Sequence, residues 1–316
     1  MHWKTKARIQ NLISKLPSEI SYALYYWMQR KFGGLRTLYT LGTLSAAVET
    51  WKRIQLHGVD PADKVFFEVG TGRAALVPLA YWLMGAKKTI TIDLNPYIKS
   101  EIMIEHLSYI VDNKKQINEL FGSLIREDRL EMICKYFKEN TFSDKEYFKV
   151  CHIEYISPGD ASETKLGNMS IDFHTSNAVF EHIPKKVLEN ILVEGNRIIK
   201  DNGIFLHKID YSDHFSHSDK SISAINFLQY SDYQWKKYAG NRYMYMNRLR
   251  HDDFLELFED CGHEVISDVP NVDKEVLELL KSNKVSLDKK FSLKGDEVLS
   301  ITNSWIVSKK VSNTLA

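Results

Sequence analysis

Residues 65–74 read Val65-Phe66-Phe67-Glu68-Val69-Gly70-Thr71-Gly72-Arg73-Ala74, and this stretch decides the fold. Four apolar residues around one acid form a short buried strand, and two glycines follow it at once. Glycine adopts backbone angles closed to other residues, so the chain can turn sharply and let a ligand approach the backbone. Apolar residues resume at Ala75 and run to Gly85, which reads as a helix over 73–85 with Pro78 near its first turn. A second buried strand over 89–94 ends on Asp93-Leu94, about twenty residues past the glycines, where a strand-end acid can hold a ribose diol.

Outward from this unit the alternation continues. Strands are expected at 152–156, 171–177, 204–209, 263–268 and 301–309, the last pair compatible with an antiparallel edge. Helices are expected at 186–199, 251–260 and 273–281, and Asn202-Gly203 marks a turn. The expected fold is therefore α/β: a Rossmann-like, mostly parallel seven-stranded sheet with helices on both faces. Helical patterning over 3–57, broken at Gly33-Gly34, gives an N-terminal helical cap (1–60) ahead of the main domain (61–316). Two insertions interrupt that domain: a helical one at about 98–148 and an aromatic-rich one at about 211–250.

Composition excludes several classes. A net charge of +1 over 316 residues gives no electrostatic case for nucleic-acid binding. Cys134, Cys151 and Cys261 are too few and too scattered for a disulfide framework, so a reducing, cytoplasmic setting is expected. No apolar run is long enough to span a membrane. Residues 1–36 are basic, with Lys4, Lys6, Arg8, Lys15, Arg30, Lys31 and Arg36 against Glu19 alone. Either this segment touches an anionic lipid surface peripherally, or its aromatics pack on the domain as a cap.

The glycine loop fits a GxGxxA dinucleotide turn nearly as well as an ExGxGxA turn. Glu68 argues against the first, because an acid there would repel a pyrophosphate at the same helix N-terminus. Gly159-Asp160-Ala161 supplies another acid after the third strand, and Ser176-Asn177-Ala178-Val179-Phe180-Glu181-His182-Ile183 follows the fourth. In this order the motifs resemble those of class I S-adenosylmethionine-dependent methyltransferases, from about residue 60 to the C-terminus. The third loop position, Ala74, and Asp201-Asn202 before Gly203 depart from the family pattern.

The resemblance implies S-adenosyl-L-methionine as cofactor. It implies that Glu68, Gly70, Thr71 and Gly72 wrap its methionine part, Asp93 and Leu94 its ribose, Asp160 and Ala161 its adenine, with Asn177 nearby. Asn226–Asp232 and Asn247–Arg250 also resemble methyltransferases that accompany bacterial surface-polysaccharide synthesis, which implies a sugar or glycan hydroxyl as acceptor. A hydroxyl must lose its proton, which suits a histidine base. His214 and His182 are the favoured bases, Asp210 an orienting partner, and His207 a further candidate. Tyr211, Tyr230, Trp235, Arg242 and Arg248 are the candidate acceptor contacts, as flat faces for a sugar and cations for an acid. Glu181, His182, Asp210 and His214 are groups that suit divalent ions, but no compact His-Glu-x-x-His spacing exists and no metal is expected.

The absence of an Asn-Pro-Pro-aromatic segment after the fourth strand counts against nitrogen methylation. Two other readings stand: an NAD-dependent oxidoreductase or epimerase of a nucleotide sugar, and a non-catalytic binding module of the same fold. The first lacks a Tyr-x-x-x-Lys dyad, since Tyr155 is followed four residues on by Gly159. Composition leaves the oligomeric state open.

Overall fold

The computed structural model describes residues 1–139 and 141–311. Helices α1 (Trp3–Ser14), α2 (Ser18–Phe32) and α3 (Thr40–Leu56) precede strand β1 (Val65–Val69), α4 (Leu76–Leu83) and β2 (Lys88–Ile92). Four helices follow, α5 (Ser100–Asp112), α6 (Lys114–Phe121), α7 (Glu127–Glu139) and α8 (Asp144–Val150), before β3 (Ile153–Ile156) and β4 (Ile171–Asn177). The chain ends with α9 (Lys185–Ile198), β5 (Ile199–Asp210), α10 (Asp232–Ala239), α11 (His251–Asp260), β6 (His263–Val272), α12 (Lys274–Lys281), α13 (Asp296–Ser300) and β7 (Ile301–Lys310).

The seven strands form one sheet in the order β3-β2-β1-β4-β5-β7-β6. Strands β1 to β4 are parallel, with Val69 level with Ile92 and Ser176, and Ile92 level with Ile156. The fold is thus the expected seven-stranded α/β sheet. Its strand order reverses between β1 and β4, and in such sheets ligands collect outside the carboxyl ends of the strands at that point. The described residues divide into two compact units: 38–139, 141–177, 190–207 and 307–311 in one, and 1–37, 178–189 and 208–306 in the other.

In the unit that contains β1, alternation along the strand decides which side chains face which layer. Phe66 stacks between Trp51 of α3 and Tyr81 of α4, at ring-centroid distances of 5.7 and 4.2 Å, and lies 4.8 Å from Phe173 of β4. Its neighbour Phe67 points the other way, onto His174 at 5.0 Å. α4 is apolar on every side and every residue of it is buried, so it is held by packing rather than by amphipathicity. The turn expected at Asn202-Gly203 falls inside β5. There Gly203 lies so close to Ile199 and the Asp172 carbonyl that a Cβ would sit 2.4 and 2.8 Å away, so only glycine fits that bend.

The second unit is built around aromatic side chains. Trp3 of α1 lies 4.8 to 6.0 Å from Tyr238, Phe215, Tyr230 and Trp235, and its amide donates to Asp219 at 2.7 Å. α1 buries Trp3, Ala7, Gln10 and Ile13, the 3–4 spacing of one helix face. The apolar face of α1 is therefore buried against the aromatic residues of the 215–238 segment. α2 stacks Tyr25 on Tyr243 at 3.9 Å but leaves Ile20, Leu24 and Trp27 facing solvent. Cys134, Cys151 and Cys261 form no disulfide among the described residues. Among the described residues, no helix is long and apolar enough to cross a membrane.

Candidate functional site

Parallel pairing brings the ends of β1, β2, β3 and β4 to one edge, where the sequence places a glycine loop after β1, Asp93 after β2, Asp160 after β3 and Asn177 at the end of β4. Gly70 and Gly72 have φ of +89° and +72°, angles that side chains disfavour, which is why glycine occupies both positions. The loop is tied to β2 twice. The Gly70 amide donates to the Ile92 carbonyl at 2.8 Å, and the Gly72 amide donates to the Asp93 carboxylate at 3.1 Å. A Cβ on Gly72 would meet nothing within 4 Å, so the outer face of the loop is open.

Asp93 is half-buried, and burial raises its pKa against the pull of the Gly72, Asn95 and Leu94 amides. Beside it Leu94 is 69% exposed, an apolar surface next to a carboxylate at a strand tip. The Asp93 carbonyl accepts from the Gly159 amide at 2.9 Å, which joins the β2 tip to the Gly159-Asp160-Ala161 turn. A Cβ on Gly159 would lie 2.7 Å from Ile92 and 2.8 Å from Ile156, so that junction requires glycine. Asp160 is exposed and caps its own turn, accepting from the Ser162 amide and hydroxyl at 2.8 and 2.7 Å. Ala161 is buried and Asn177, the last residue of β4, is half-buried.

Glu68 differs from its expected place. It is 3% exposed and turned inward, accepting from Thr91 at 2.7 Å, while Thr91 and Thr71 share a 2.6 Å hydrogen bond. Burial pushes its pKa up to about 8, with Asp93 adding to the rise and Thr91 opposing it. At neutral pH the carboxyl is protonated, so it neither repels a pyrophosphate nor attracts a sulfonium. Its work is to fix the loop to the sheet through two threonines. The proton is held by the folded chain but lost by the unfolded chain above the ordinary value of 4.5, so stability falls as pH rises from 4.5 to about 8. Glu68→Gln should flatten that fall, by at most about 1.4 kcal/mol per pH unit. Urea unfolding of both proteins at several pH values in that window checks it; equally steep curves would show that Glu68 is ionised.

In the other unit a second group of side chains assembles after β4 and β5. Ala178, with φ of +53°, turns the chain abruptly into the short helical turn Phe180–His182. Asn247 pins that turn: its side chain donates to the Phe180 and Ile183 carbonyls at 2.8 Å each, and its amide to the Glu181 carbonyl at 2.9 Å. Asp210 ends β5 and accepts from the Ser212 amide and hydroxyl through one oxygen. Its other oxygen lies 3.4 Å from His214 Nε2 and 3.9 Å from His217 Nε2. Burial raises the Asp210 pKa, but His214 and Ser212 outweigh it and leave the group at about 2. His182 Nδ1 donates to the Tyr245 carbonyl at 2.8 Å; a carbonyl only accepts, so Nδ1 carries the proton. Its ring packs edge-on against His214 at 4.8 Å, and burial followed by the His214 charge lowers its pKa to about 4. Glu181 is 2% exposed, burial raises its pKa well above the carboxylate range, and neither of its oxygens accepts a hydrogen bond of good geometry.

Three of the four residues expected to handle protons, His182, Asp210 and His214, thus lie in one cluster. His207 does not belong to it. It is fully buried within β5, with Nδ1 2.8 Å from the Ser176 hydroxyl and its ring 5.2 Å from His174, and serves the interior of the sheet. Glu181 and His217 complete the cluster; sequence reasoning named Glu181 only as a group suited to a divalent ion and gave His217 no role. Their signal was position alone, one residue before His182 and three after His214.

The expected acceptor contacts are otherwise employed. Tyr211 is 1% exposed with its hydroxyl 2.7 Å from Ser304, and Trp235 is 5% exposed in the aromatic core beside half-buried Tyr230. Buried Arg248 donates to the Phe227 and Tyr230 carbonyls and pairs with Asp232. Arg242 ties the 211–250 segment to α1 and α2, donating to the Ser14 carbonyl and the Ser18 hydroxyl. Aromatic rings with polar tips suit an interior as well as a sugar, and here the interior has taken them.

No protein-family model matches the chain, and no curated protein matches it. Solved structures do resemble it. A SAM-dependent methyltransferase from Methanosarcina mazei is 13% identical, with 81% of this chain and 97% of that chain covered, at a TM-score of 0.47. Geranyl diphosphate C-methyltransferase from Streptomyces coelicolor A3(2), solved with Mg2+, geranyl diphosphate and S-adenosyl-L-homocysteine, is 11% identical over 84% of this chain and 79% of that chain, also at 0.47. At these values the likeness adds nothing to the α/β sheet already described.

Proposed function

We propose that the chain is a class I S-adenosylmethionine-dependent methyltransferase acting on a hydroxyl oxygen. The observation that carries this reading is the Asp93 carboxylate bound to the Gly72 amide at 3.1 Å, with Leu94 exposed beside it. A carboxylate at a strand tip accepts hydrogen bonds from a ribose diol, and an exposed apolar side chain beside it suits the face of a purine. The same pair speaks against a dinucleotide. An amide already bonded to a carboxylate is not available to a phosphate oxygen, and the carboxylate repels one. With Glu68 protonated at neutral pH, this contact replaces Glu68 as the ground for preferring a sulfonium cofactor.

Asp93, Leu94, Gly70, Thr71, Gly72, Asp160, Ala161 and Asn177 would hold the cofactor, whose chemistry is the donation of an activated methyl group. The chain then has to align the acceptor and take its proton. Asp210, His214 and His182 are the groups of the chain suited to take that proton as the new C–O bond forms and the C–S bond breaks. A sugar or glycan hydroxyl, of the kind used in surface-polysaccharide synthesis, is the acceptor class. Tyr245, whose carbonyl holds His182, keeps 37% of its surface exposed and offers a ring face of the kind sugars stack on.

Asp93→Ala should weaken cofactor binding by about 1.5–3 kcal/mol, because hydrogen bonds to a charged group are lost and the loop is untied. Unchanged affinity by calorimetry would remove Asp93 from the site. Transfer of labelled methyl from S-adenosylmethionine into fractionated host glycans and small metabolites tests the reaction itself. Label in an alkali-stable ether of a glycan or sugar fraction supports the reading; label confined to amine or carbon products overturns the oxygen assignment.

A further inference from the structure

The cluster after β4 and β5 contains more ligating groups than proton transfer needs, and Glu181 and His214 Nε2 lack a hydrogen bond of good geometry. The ligand atoms of Glu181, His182 and His214 all lie within 4.8 Å of one another, and so do those of Asp210, His214 and His217. His214 belongs to both sets. We propose that Glu181, His182 and His214 bind a divalent transition-metal ion of the zinc class, with Asp210 and His217 as further ligands or ligand supports.

Three observations carry this. First, Glu181 is buried, yet neither carboxyl oxygen accepts a hydrogen bond of good geometry. Buried polar groups are rarely left so, and a cation is the partner that would satisfy both oxygens. Second, His214 Nε2 is buried without a hydrogen bond of good geometry, its nearest carboxylate being Asp210 at 3.4 Å. Third, His182 is oriented as a ligand should be. Nδ1 donates to the Tyr245 carbonyl, which leaves Nε2 unprotonated, 4.0 Å from Glu181 Oε1. A backbone carbonyl that fixes the tautomer of a histidine is the usual outer support of a metal ligand.

Two imidazoles and a carboxylate favour zinc, manganese or cobalt over magnesium or calcium, which prefer oxygen ligands alone. Nitrogen–metal bonds of about 2.0–2.1 Å require the ligand atoms to draw together by roughly 1 Å from their present spacing, a side-chain adjustment. His182 and His217 are partly exposed, which gives an ion a path from solvent. The site itself does not depend on the methyltransferase reading. If that reading holds, the ion would make an acceptor hydroxyl more acidic, with His214 as ligand and the released proton passing to solvent.

The test is calorimetric titration of the full-length, chelator-treated protein with zinc and with manganese, using magnesium as the control ion. One saturable equivalent of zinc or manganese is expected, with at least about 100-fold weaker binding in Glu181→Gln and His214→Ala. His182→Asn, at a partly exposed position, gives the same loss in a variant spared a core substitution. Thermal melting in chelator shows which variants remain folded, and zinc should raise the melting temperature of the parent alone. Absence of a saturable equivalent, or equal affinity in His182→Asn and the parent, overturns the proposal. Titrating the same samples with S-adenosylmethionine separates the two claims: zinc bound without the sulfur compound leaves the metal site standing and ends the methyltransferase reading, and the reverse ends only the metal site.

Discussion

His214→Ala should lower methyl-transfer turnover by about 10²–10⁴-fold while leaving affinity for S-adenosylmethionine unchanged. The size follows from the position of His214. It is partly exposed, paired with Asp210 at 3.4 Å, and packed between the rings of His182 and His217 at 4.8 and 4.9 Å. A residue that takes the acceptor proton, or that holds an ion acidifying it, acts on the transition state. Its loss therefore appears in kcat rather than in cofactor binding. The proposed cofactor groups follow β1 to β4 whereas His214 follows β5, so calorimetry of the variant should match the parent. Turnover within a factor of about two of the parent would remove His214 from the chemistry.

Arg250→Ala should destabilise the fold by about 3 kcal/mol or more. Arg250 is fully buried in the unit holding β6, and its guanidinium donates to the Tyr211, Leu299 and Ile301 carbonyls at 2.6, 3.0 and 2.7 Å. These carbonyls belong to the segment after β5 and to the junction of α13 with β7, so one side chain joins two parts of the chain about ninety residues apart. Burial lowers its pKa to about 10, still well above neutrality, so a full charge is held by carbonyl dipoles. Truncation leaves those buried acceptors unsatisfied, at about 1–3 kcal/mol each, and opens a cavity. Arg250→Lys should recover only part of the loss, because an ammonium cannot reproduce the planar fork. Guanidinium chloride unfolding checks both, and a midpoint unchanged in Arg250→Ala would contradict the account.

The sheet was legible because its signals are local. Val65–Val69 is bounded by glycines that need positive φ, and His251–Asp260 by its own helical period, and both elements run where the sequence places them. What the sequence hid depends on contacts between distant residues. Trp235 carries the same composition signal whether it faces a sugar or Trp3, and only the fold brings Trp3 against it. Glu68 reads as a charged residue at its strand end, yet burial inside the sheet, beside Thr91 of β2, neutralises it. The Glu181, His182, Asp210, His214 and His217 cluster has no motif spacing, because its members arrive on two segments that follow neighbouring strands. The absence of a compact ligand motif therefore did not exclude a group of metal-ligating side chains.

Calorimetry with S-adenosylmethionine, S-adenosylhomocysteine and NAD bears most directly on the strand-tip cradle. Saturable binding of both sulfur compounds, weakened in Asp93→Ala and absent for NAD, is the expected result. Binding of NAD with no heat from either sulfur compound would contradict it.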